Sequence, residues 1–192
     1  MDLATLLQRC RGGDELAWEA LVRQHQSRVY GVALHYVGNA EDARDVAQEI
    51  FVRIYKKLDS CSEASRFLPW MLRIARNACI DHIRRRRARP PRHDIPAQEM
   101  NDLASSAPGP EEQWREDSRK RLLHLAIQKL SELNREIILL KEIQGLSLEE
   151  IASMLDIPVG TVKSRSNRAR LELARKVVAL SGARYGAENA GS

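Results

Sequence analysis

The 192-residue chain is long enough for one large domain or two small ones, and its 43% hydrophobic content can supply a buried core. Aromatic residues make up only 5% of the sequence, which favours helices over sheets. No segment approaches the roughly 18–20 consecutive apolar residues of a membrane span, and the N-terminus lacks a signal-peptide pattern. We therefore expect a cytoplasmic protein.

The positive charge is concentrated in two blocks. The chain has a net charge of +5, yet residues 61–95 hold nine basic and three acidic groups, and residues 151–192 hold seven and three. The remaining segments are nearly neutral or acidic. Two separate basic blocks indicate two contact surfaces for a polyanion, although a pair of solvated basic faces would give the same pattern.

Helical periodicity dominates the first half of the chain. Apolar residues recur at helical spacing from Leu16 to Val37, and Gly38-Asn39 is a typical helix stop. The next segment is the clearest, and its unbroken apolar stripe consists of Ala43, Val46, Ala47, Ile50, Phe51, Ile54, Tyr55 and Leu58. A third helix is predicted from about Phe67 to Arg87, where Pro69 is tolerated because it falls in the first turn.

The periodicity then stops and later resumes. Residues 88–110 contain five prolines and little apolar content, which indicates a flexible linker. Helical spacing returns near Glu111 and continues to about Leu180, with breaks at Gly145 and at Asp156-Ile157-Pro158. The sequence thus predicts an all-α protein with two small helical domains, at residues 1–87 and 119–180. We expect a linker at residues 88–118 and a disordered tail at residues 181–192.

The second domain carries a helix-turn-helix pattern. Ser147 and Glu150 have the spacing of a capping box at the start of a short helix, and Pro158 favours the start of the next helix. On that second helix an inward stripe is predicted for Val159, Val162, Ala169 and Leu173.

The opposite face of this second helix is polar and basic. Short polar groups and forked arginines suit base edges in the major groove, which we assign to Thr161, Ser164, Arg165 and Arg168. Lys163 and Arg170 lie on the flank and suit phosphates. The alternative is an ordinary amphipathic helix whose polar face is basic.

Three segments in order resemble the bacterial sigma factors of the extracytoplasmic-function group. DARDVAQEIFVRIYKKL, at residues 42–58, resembles the polymerase-binding helix of sigma factors, commonly written D-A-E-D-x-x-Q-E-x-F. Residues 67–87 are similar to the promoter-melting and −10-recognition helix, and GLSLEEIASMLDIPVGTVKSRSNRAR is similar to the region that reads the −35 element. The resemblance covers residues 16–87 and 120–178. It implies two helical domains that carry core RNA polymerase to promoter DNA.

The resemblance also implies roles for the outward faces of two helices. The face of the polymerase-like helix (Glu41, Asp45, Gln48, Glu49, Val52 and Lys56) is acidic with one apolar residue, which suits a protein partner better than DNA. By resemblance the partner is the clamp coiled coil of the largest polymerase subunit, and the binding residues are Asp45, Gln48, Glu49 and Val52. A solvated face is the alternative.

The following helix and the loop before it are assigned to the −10 element. Asn77 can bond exposed base edges and the arginines can hold the backbone, while the loop from Asp59 to Arg66 would capture an unstacked base. Trp70 fits either this role or the core. The residues assigned to −10 DNA are Phe67, Trp70, Arg73, Arg76, Asn77, Ile80, Arg84 and Arg85.

Other functions fit the sequence less well. No Gly-rich phosphate loop, nucleophile elbow or HExxH motif occurs, so we expect no enzyme, cofactor or small-molecule substrate. Cys79 and His82 supply only two ligands for a metal, and the three cysteines are more readily isolated thiols than a redox switch.

A free-standing helix-turn-helix regulator is the main rival, but it leaves residues 42–58 unexplained. The family also implies an anti-sigma partner.

Two residues depart from the usual recognition helix of the family. Ser166 stands on the inward stripe where a large apolar residue is common, and Asn167 stands where histidine is common. We therefore expect looser packing there and a promoter preference that differs from the familiar one.

Overall fold

The computed structural model describes residues 2–88 and 110–189, with side chains described outside 110–117 and 182–189. Every element of regular structure in these residues is helical, as predicted, and the chain divides into two compact units between Asp102 and Leu103. None of the helices in the two described ranges is long and apolar enough to cross a membrane.

The described part of the first unit, residues 2–88, contains four helices. They are α1 (Leu3–Arg11), α2 (Glu15–Val37), α3 (Ala40–Lys57) and α4 (Phe67–Ala88), with short 3-10 turns at Leu58–Ser60 and Ala64–Arg66 between the last two. Helices α2, α3 and α4 pack against one another, and α1 packs on α2. The largest fully buried side chains of this unit are Leu7, Leu21, Val29, Ile50, Ile54, Phe67, Met71 and Leu72.

The helix ends in this unit follow from local chemistry. Asp14 accepts a hydrogen bond from the Ala17 amide at the start of α2, which satisfies one of the exposed N–H groups there. Gly38 ends α2 in the left-handed region with φ +81, a conformation that favours glycine. The Asn39 side chain then accepts from the Asp42 amide at 2.8 Å and starts α3. The predicted stop at Gly38-Asn39 is confirmed.

The second unit is organised around its last helix. Its helices are α5 (Pro110–Gln128), α6 (Glu132–Ile138), α7 (Leu148–Leu155) and α8 (Val159–Asn189), with a π-helical turn at Leu139–Ile143. Helices α5, α6 and α7 all pack on α8. The buried side chains include Ala126, Ile127, Leu130, Ile137, Ile138, Leu140, Ile151, Val162 and Ala169.

Several predicted boundaries differ from the structure. Helix α5 begins at Pro110, so the predicted return of helix near Glu111 is confirmed, and residues 110–118 at the end of the predicted linker are helical. Helix α8 continues to Asn189, which contradicts a disordered tail for residues 181–189. The linker prediction for residues 89–109 and the tail prediction for residues 190–192 lie outside the described residues.

Two features were not predicted. Helix α1 buries Leu6, Leu7 and Cys10, and the spacing of these residues together with Leu3 is helical in the sequence. The chain also turns between α5 and α6, where Arg135 donates hydrogen bonds to the carbonyl oxygens of Gln128 and Leu130 at 2.6 and 3.1 Å. This side chain satisfies carbonyls that the end of α5 leaves without helical partners.

Candidate functional site

The outer face of α3 is polar with one apolar side chain at its centre. Asp45 and Gln48 are exposed, and Val52 is 52% exposed although it is aliphatic. Glu41 and Lys56 are exposed at the two ends of the face. The helix therefore presents these five side chains outward while its opposite side closes the core.

Glu49 differs from its neighbours on this face because it is half-buried against α4. Its Oε1 accepts a hydrogen bond from Arg53 Nη2 at 2.6 Å, and Arg85 Nη2 donates to Oε2 and Oε1 at 2.9 and 3.2 Å. Partial burial acts to raise the pKa of Glu49, but the bonds from Arg85 and Arg53 outweigh it and the pKa is lowered. Glu49 is thus an ionised partner of two arginines.

Two further contacts join α3 to α4 alongside Glu49. Arg53 Nη1 donates to Asp81 Oδ2 at 2.8 Å, so this arginine bridges a carboxylate on each helix. Asp42 accepts from Arg86, and the same Oδ2 accepts from Asn39 at 2.7 Å. Three carboxylates therefore engage three arginines along the α3–α4 seam.

A shallow groove opens beside the α3 face. It encloses about 510 Å³ and is lined by Gly13, Asp14, Glu15, Trp18, Phe51, Val52 and Tyr55. The Trp18 ring meets Phe51 and Tyr55 edge-on, with centroids 6.4 and 5.0 Å apart. Tyr55 is 54% exposed, so its assignment to the buried stripe is wrong. The sequence signal for this groove was the position of Tyr55 at the edge of a long stripe, where helical drift turns a side chain outward.

The same unit carries a basic face on α4, whose C-terminal arginines reach the carboxylates of α3. Arg73, Asn77, Arg84 and Arg85 are exposed, while Arg76 and Ile80 are half-buried beside them. Their spacing places amide and guanidinium groups along one side of a 22-residue helix. This side can contact a polyanion over several turns.

Phe67 is a correction to the proposed DNA contacts. It is only 1% exposed, and its ring centroid lies 5.3 Å from that of His25 in α2. A side chain so fully enclosed by α2 cannot reach DNA without opening the core. Phe67 is a core residue.

Trp70 joins the start of α4 to the preceding loop. It is half-buried, its Nε1 donates to Ser60 Oγ at 3.2 Å, and its ring lies 5.7 Å from Phe67. The loop itself is anchored by Cys61, which is buried and whose carbonyl accepts a hydrogen bond from Arg11. Ser60, Ser62 and Glu63 remain exposed. The loop therefore offers polar groups above a fixed aromatic base.

The helix-turn-helix prediction is confirmed by α7, the following turn and α8. Ser147 Oγ accepts from the Glu150 amide at 3.1 Å, and the Glu150 carboxylate accepts from the Ser147 amide at 2.7 Å. This is the reciprocal capping box that the sequence predicted. Asp156 ends α7 with φ 55, a conformation that Asp adopts more readily than most residues.

The outer face of α8 begins two residues into the helix. Lys163, Ser164 and Arg168 are exposed, while Thr161 and Arg165 are half-buried. Ser164 Oγ donates to the Thr161 carbonyl at 3.0 Å. Among the described side chains, at residues 2–88 and 118–181, none forms a hydrogen bond or ion pair with the side chains of Lys163, Arg165 or Arg168. These cations are available for an external anion.

One prediction on α8 needs correction, and a residue assigned to a phosphate has partners within the protein. Val159 was placed on the inward stripe, but it is 39% exposed at the first residue of the helix. Arg170 was assigned to a phosphate, yet its Nε lies 3.1 Å from Glu142 Oε1 and its Nη2 donates to Ser166 Oγ at 3.3 Å. Ser166 is buried at 1% exposure, as its position on the inward stripe predicted.

Metal-ligating residues are not grouped in the described ranges. Across residues 2–88 and 118–181, where side chains are described, no three of His, Cys, Asp and Glu are placed to hold a metal ion. Burial raises the pKa of the Cys79 thiol to about 12, so it stays protonated at neutral pH and is a poor ligand there. Cys10 and Cys61 are also buried, and burial raises the pKa of each thiol.

Comparisons with known families match both units. The model of Sigma-70 region 2 matches residues 21–89, and that of Sigma-70, region 4 matches residues 120–173. The chain is 36% identical over 170 residues to the RNA polymerase sigma-H factor of Pseudomonas aeruginosa, covering 86% of this chain and 88% of that protein. It is also 36% identical over 180 residues to the ECF RNA polymerase sigma-E factor of Escherichia coli K12, covering 91% and 94%.

Two solved structures have a similar fold. CnrH, solved in complex with the cytosolic domain of CnrY, has a TM-score of 0.63 and 26% identity, covering 91% of this chain and 96% of its own. The sigma factor RpoE of Bartonella quintana, solved with the anti-sigma factor NepR, has a TM-score of 0.60 and 24% identity, covering 83% and 95%. The second likeness concerns the fold alone.

Proposed function

Because this chain belongs to the extracytoplasmic-function (ECF) sigma factors of bacterial RNA polymerase, we propose that its three outward surfaces divide the work of promoter recognition. As a sigma factor it binds core polymerase and directs initiation by reading −35 duplex and melted −10 DNA. Its site of action is the cytoplasm, where core polymerase and promoter DNA are found.

The outer face of α3 is the proposed polymerase surface. Exposed Asp45, Gln48 and Val52 combine two acceptor groups with one apolar contact, which suits a basic helical partner such as the clamp coiled coil. The adjacent groove of Trp18, Phe51 and Tyr55 supports this assignment, because aromatic side chains in a partly open groove are frequent anchors of protein interfaces. The groove therefore extends the surface that the sequence alone predicted.

The exposed side of α4 and the loop before it form the proposed −10 surface. Arg73, Arg84 and Arg85 can hold phosphates, and Asn77 can bond the edge of an unpaired base. Trp70 supports the loop through its bond to Ser60 and closes the floor of the space where a base would be captured. Flipping a base costs a few kcal/mol, which such bonding and stacking must offset.

The outer face of α8 is the proposed −35 surface. Thr161, Ser164, Arg165 and Arg168 face the same direction from a helix that follows a capped turn, as in other helix-turn-helix readers. Lys163 is the proposed phosphate contact. Arg170 acts chiefly within the protein, through Glu142 and Ser166.

A protein inhibitor is the third partner that we propose. CnrH was solved with a domain of a second protein, and the Bartonella quintana sigma factor was solved with an anti-sigma factor. An anti-sigma protein that covers the exposed groove of this chain would compete with polymerase. The alternative of a free-standing helix-turn-helix regulator is not favoured, because it gives no role to the match over residues 21–89.

The single observation that carries the polymerase assignment is the exposed face of α3, and a charge reversal tests it. Asp45→Arg should weaken binding to core polymerase about tenfold or more, because it places like charge against a basic partner. Asp59→Arg, an equal change of charge at another exposed site of this unit, should bind core as the parent does. Co-purification and titration with core polymerase measure both. Equal affinities for the two variants would refute the assignment.

A further inference from the structure

The arginines near the end of α4 are shared between two surfaces. Arg85 is assigned to the −10 surface, yet its Nη2 lies 2.9 Å from Glu49 Oε2 and 3.2 Å from Oε1. Arg86, the next residue, is paired with Asp42. Both carboxylates belong to α3, the helix of the proposed polymerase surface. We refer to Asp42, Glu49, Arg85 and Arg86 as the carboxylate latch.

A carboxylate and a DNA phosphate compete for the same guanidinium. Each offers oxygen acceptors that the planar fork of an arginine can bind in pairs, and one fork cannot engage both fully. Arg85 is still 58% exposed and Arg86 48% exposed, so each pair borders on solvent, where a phosphate can approach. The carboxylates therefore reduce the positive potential that α4 presents to DNA.

The latch is not needed to hold α3 and α4 together. Arg53 bridges Glu49 and Asp81, and the two helices also pack directly on each other, with Ile50, Ile54, Ala75 and Cys79 buried. Loss of the Glu49–Arg85 contact would leave Arg53 paired with Asp81. The structure can thus lose the latch without losing the fold.

We propose that the carboxylate latch is closed in the polymerase-free protein, with Glu49 paired to Arg85 and Asp42 to Arg86. Docking of polymerase on α3 then releases Arg85 for promoter DNA. This rests on the proposed polymerase surface, because Glu49 lies within it beside Asp45 and Val52. A basic group of the partner that pairs with Glu49 displaces Arg85, which then binds a phosphate. Polymerase binding and DNA binding are coupled through one carboxylate.

The first experiment needs no polymerase. Glu49→Gln in the full-length chain should raise affinity for a mixed-sequence single-stranded oligonucleotide about two- to fivefold, the scale of a half-exposed ion pair. The dependence of log K on log salt should steepen by about 0.7, as expected for one added phosphate contact on a single strand. Glu41→Gln is the matched control, since it removes the same charge from an exposed site on the same helix.

A second background separates release of Arg85 from a general change. In an Arg85→Ala chain, Glu49→Gln should give no more than the small effect of Glu41→Gln. Equal gains for Glu49→Gln and Glu41→Gln, a loss of affinity, or an undiminished gain without Arg85 would each overturn the latch.

The coupling is tested with the isolated clamp coiled coil as the added partner. A saturating amount should raise the oligonucleotide affinity of the parent chain to that of Glu49→Gln, and should leave Glu49→Gln itself unchanged. A parent chain that binds the coiled coil without gaining DNA affinity would overturn the coupling. Failure to bind the coiled coil would instead count against the polymerase surface, while the polymerase-free measurement still decides the latch.

Discussion

His25 is a buried titratable group without a hydrogen-bond partner. It is 8% exposed, and neither ring nitrogen has a hydrogen bond in the described part of the chain. Burial, aided by the nearby Arg28 charge, lowers the pKa of His25 from its ordinary value of 6.5. The unfolded chain therefore binds a proton at a pH where the folded chain still excludes it.

This difference makes stability depend on pH in a definite direction. Above pH 6.5 His25 is neutral in both the folded and the unfolded state, so it does not reduce the free energy of unfolding. As the pH falls below 6.5, the unfolded state binds the proton more readily, and the free energy of unfolding decreases. His25→Leu should reduce the loss of unfolding free energy between about pH 7.5 and about pH 5.5. Urea unfolding of both chains measures this. Burial also lowers the pKa of His124. Both chains retain this residue, so its effect on the pH dependence cancels in the comparison. Identical pH dependence would contradict this account.

Single residues were the least predictable level of the structure. Phe67 was expected to contact DNA but is buried against α2, and Tyr55 was expected to be buried but lines the exposed groove. A periodic pattern gives the direction of a side chain within its helix but not which neighbouring helix covers it. Likewise, the charge pattern placed Glu49 correctly on α3 but did not reveal that Arg85, 36 residues later, reaches it.

The recognition helix α8 distinguishes two kinds of cation by position. Arg165 lies one turn after Thr161 on the outer face, and Lys163 lies on the flank. Arg165→Ala should cost about 1–3 kcal/mol and relax preference at one base pair, whereas Lys163→Ala should weaken all sequences alike and reduce the salt dependence. Full-length protein titrated with −35 duplexes randomised one position at a time measures both. A uniform loss for Arg165→Ala would make it a phosphate contact.

Elements were predicted best where the pattern was local. The capping box at Ser147 and the stop at Gly38 depend on residues three or four apart, so the sequence determines them directly. The break between α5 and α6 has no glycine or proline, and it is held by Arg135 reaching back to carbonyls five and seven residues earlier. The local sequence signal for this turn is Ser131, which stands at the N-cap of α6.

The whole molecule has two separate cores, which makes the location of a destabilising change predictable. Ile50 is fully buried in the first unit, and Ile50→Ala should lower the unfolding free energy of that unit by about 2–5 kcal/mol. The transition of the second unit should stay in place. Calorimetry of the full chain measures both transitions, with exposed Val52→Ala expected to change either by less than about 0.5 kcal/mol. A shift of both transitions by Ile50→Ala would show that the cores are coupled.

Both the division into two helical units and the order of functional motifs were accessible from the sequence. The charge blocks and the proline-rich segment are properties of composition, which do not depend on packing. The end of α8 at Asn189 was missed because a helix can continue through polar and small residues that have weak periodicity.

The tryptophans give this protein its own optical reporters. Two of the three stand at different proposed docking sites: Trp18 lies against Tyr55 in the groove beside α3, and Trp70 is bonded to Ser60 beneath the −10 loop. The fluorescence emission of an indole ring changes when water is excluded from around the ring or when its N–H loses a hydrogen bond. With Trp114 and one of these replaced by phenylalanine, the remaining indole would signal a single event, arrival of polymerase for Trp18 or capture of a base for Trp70. The order of the two events can then be timed in solution without an attached dye.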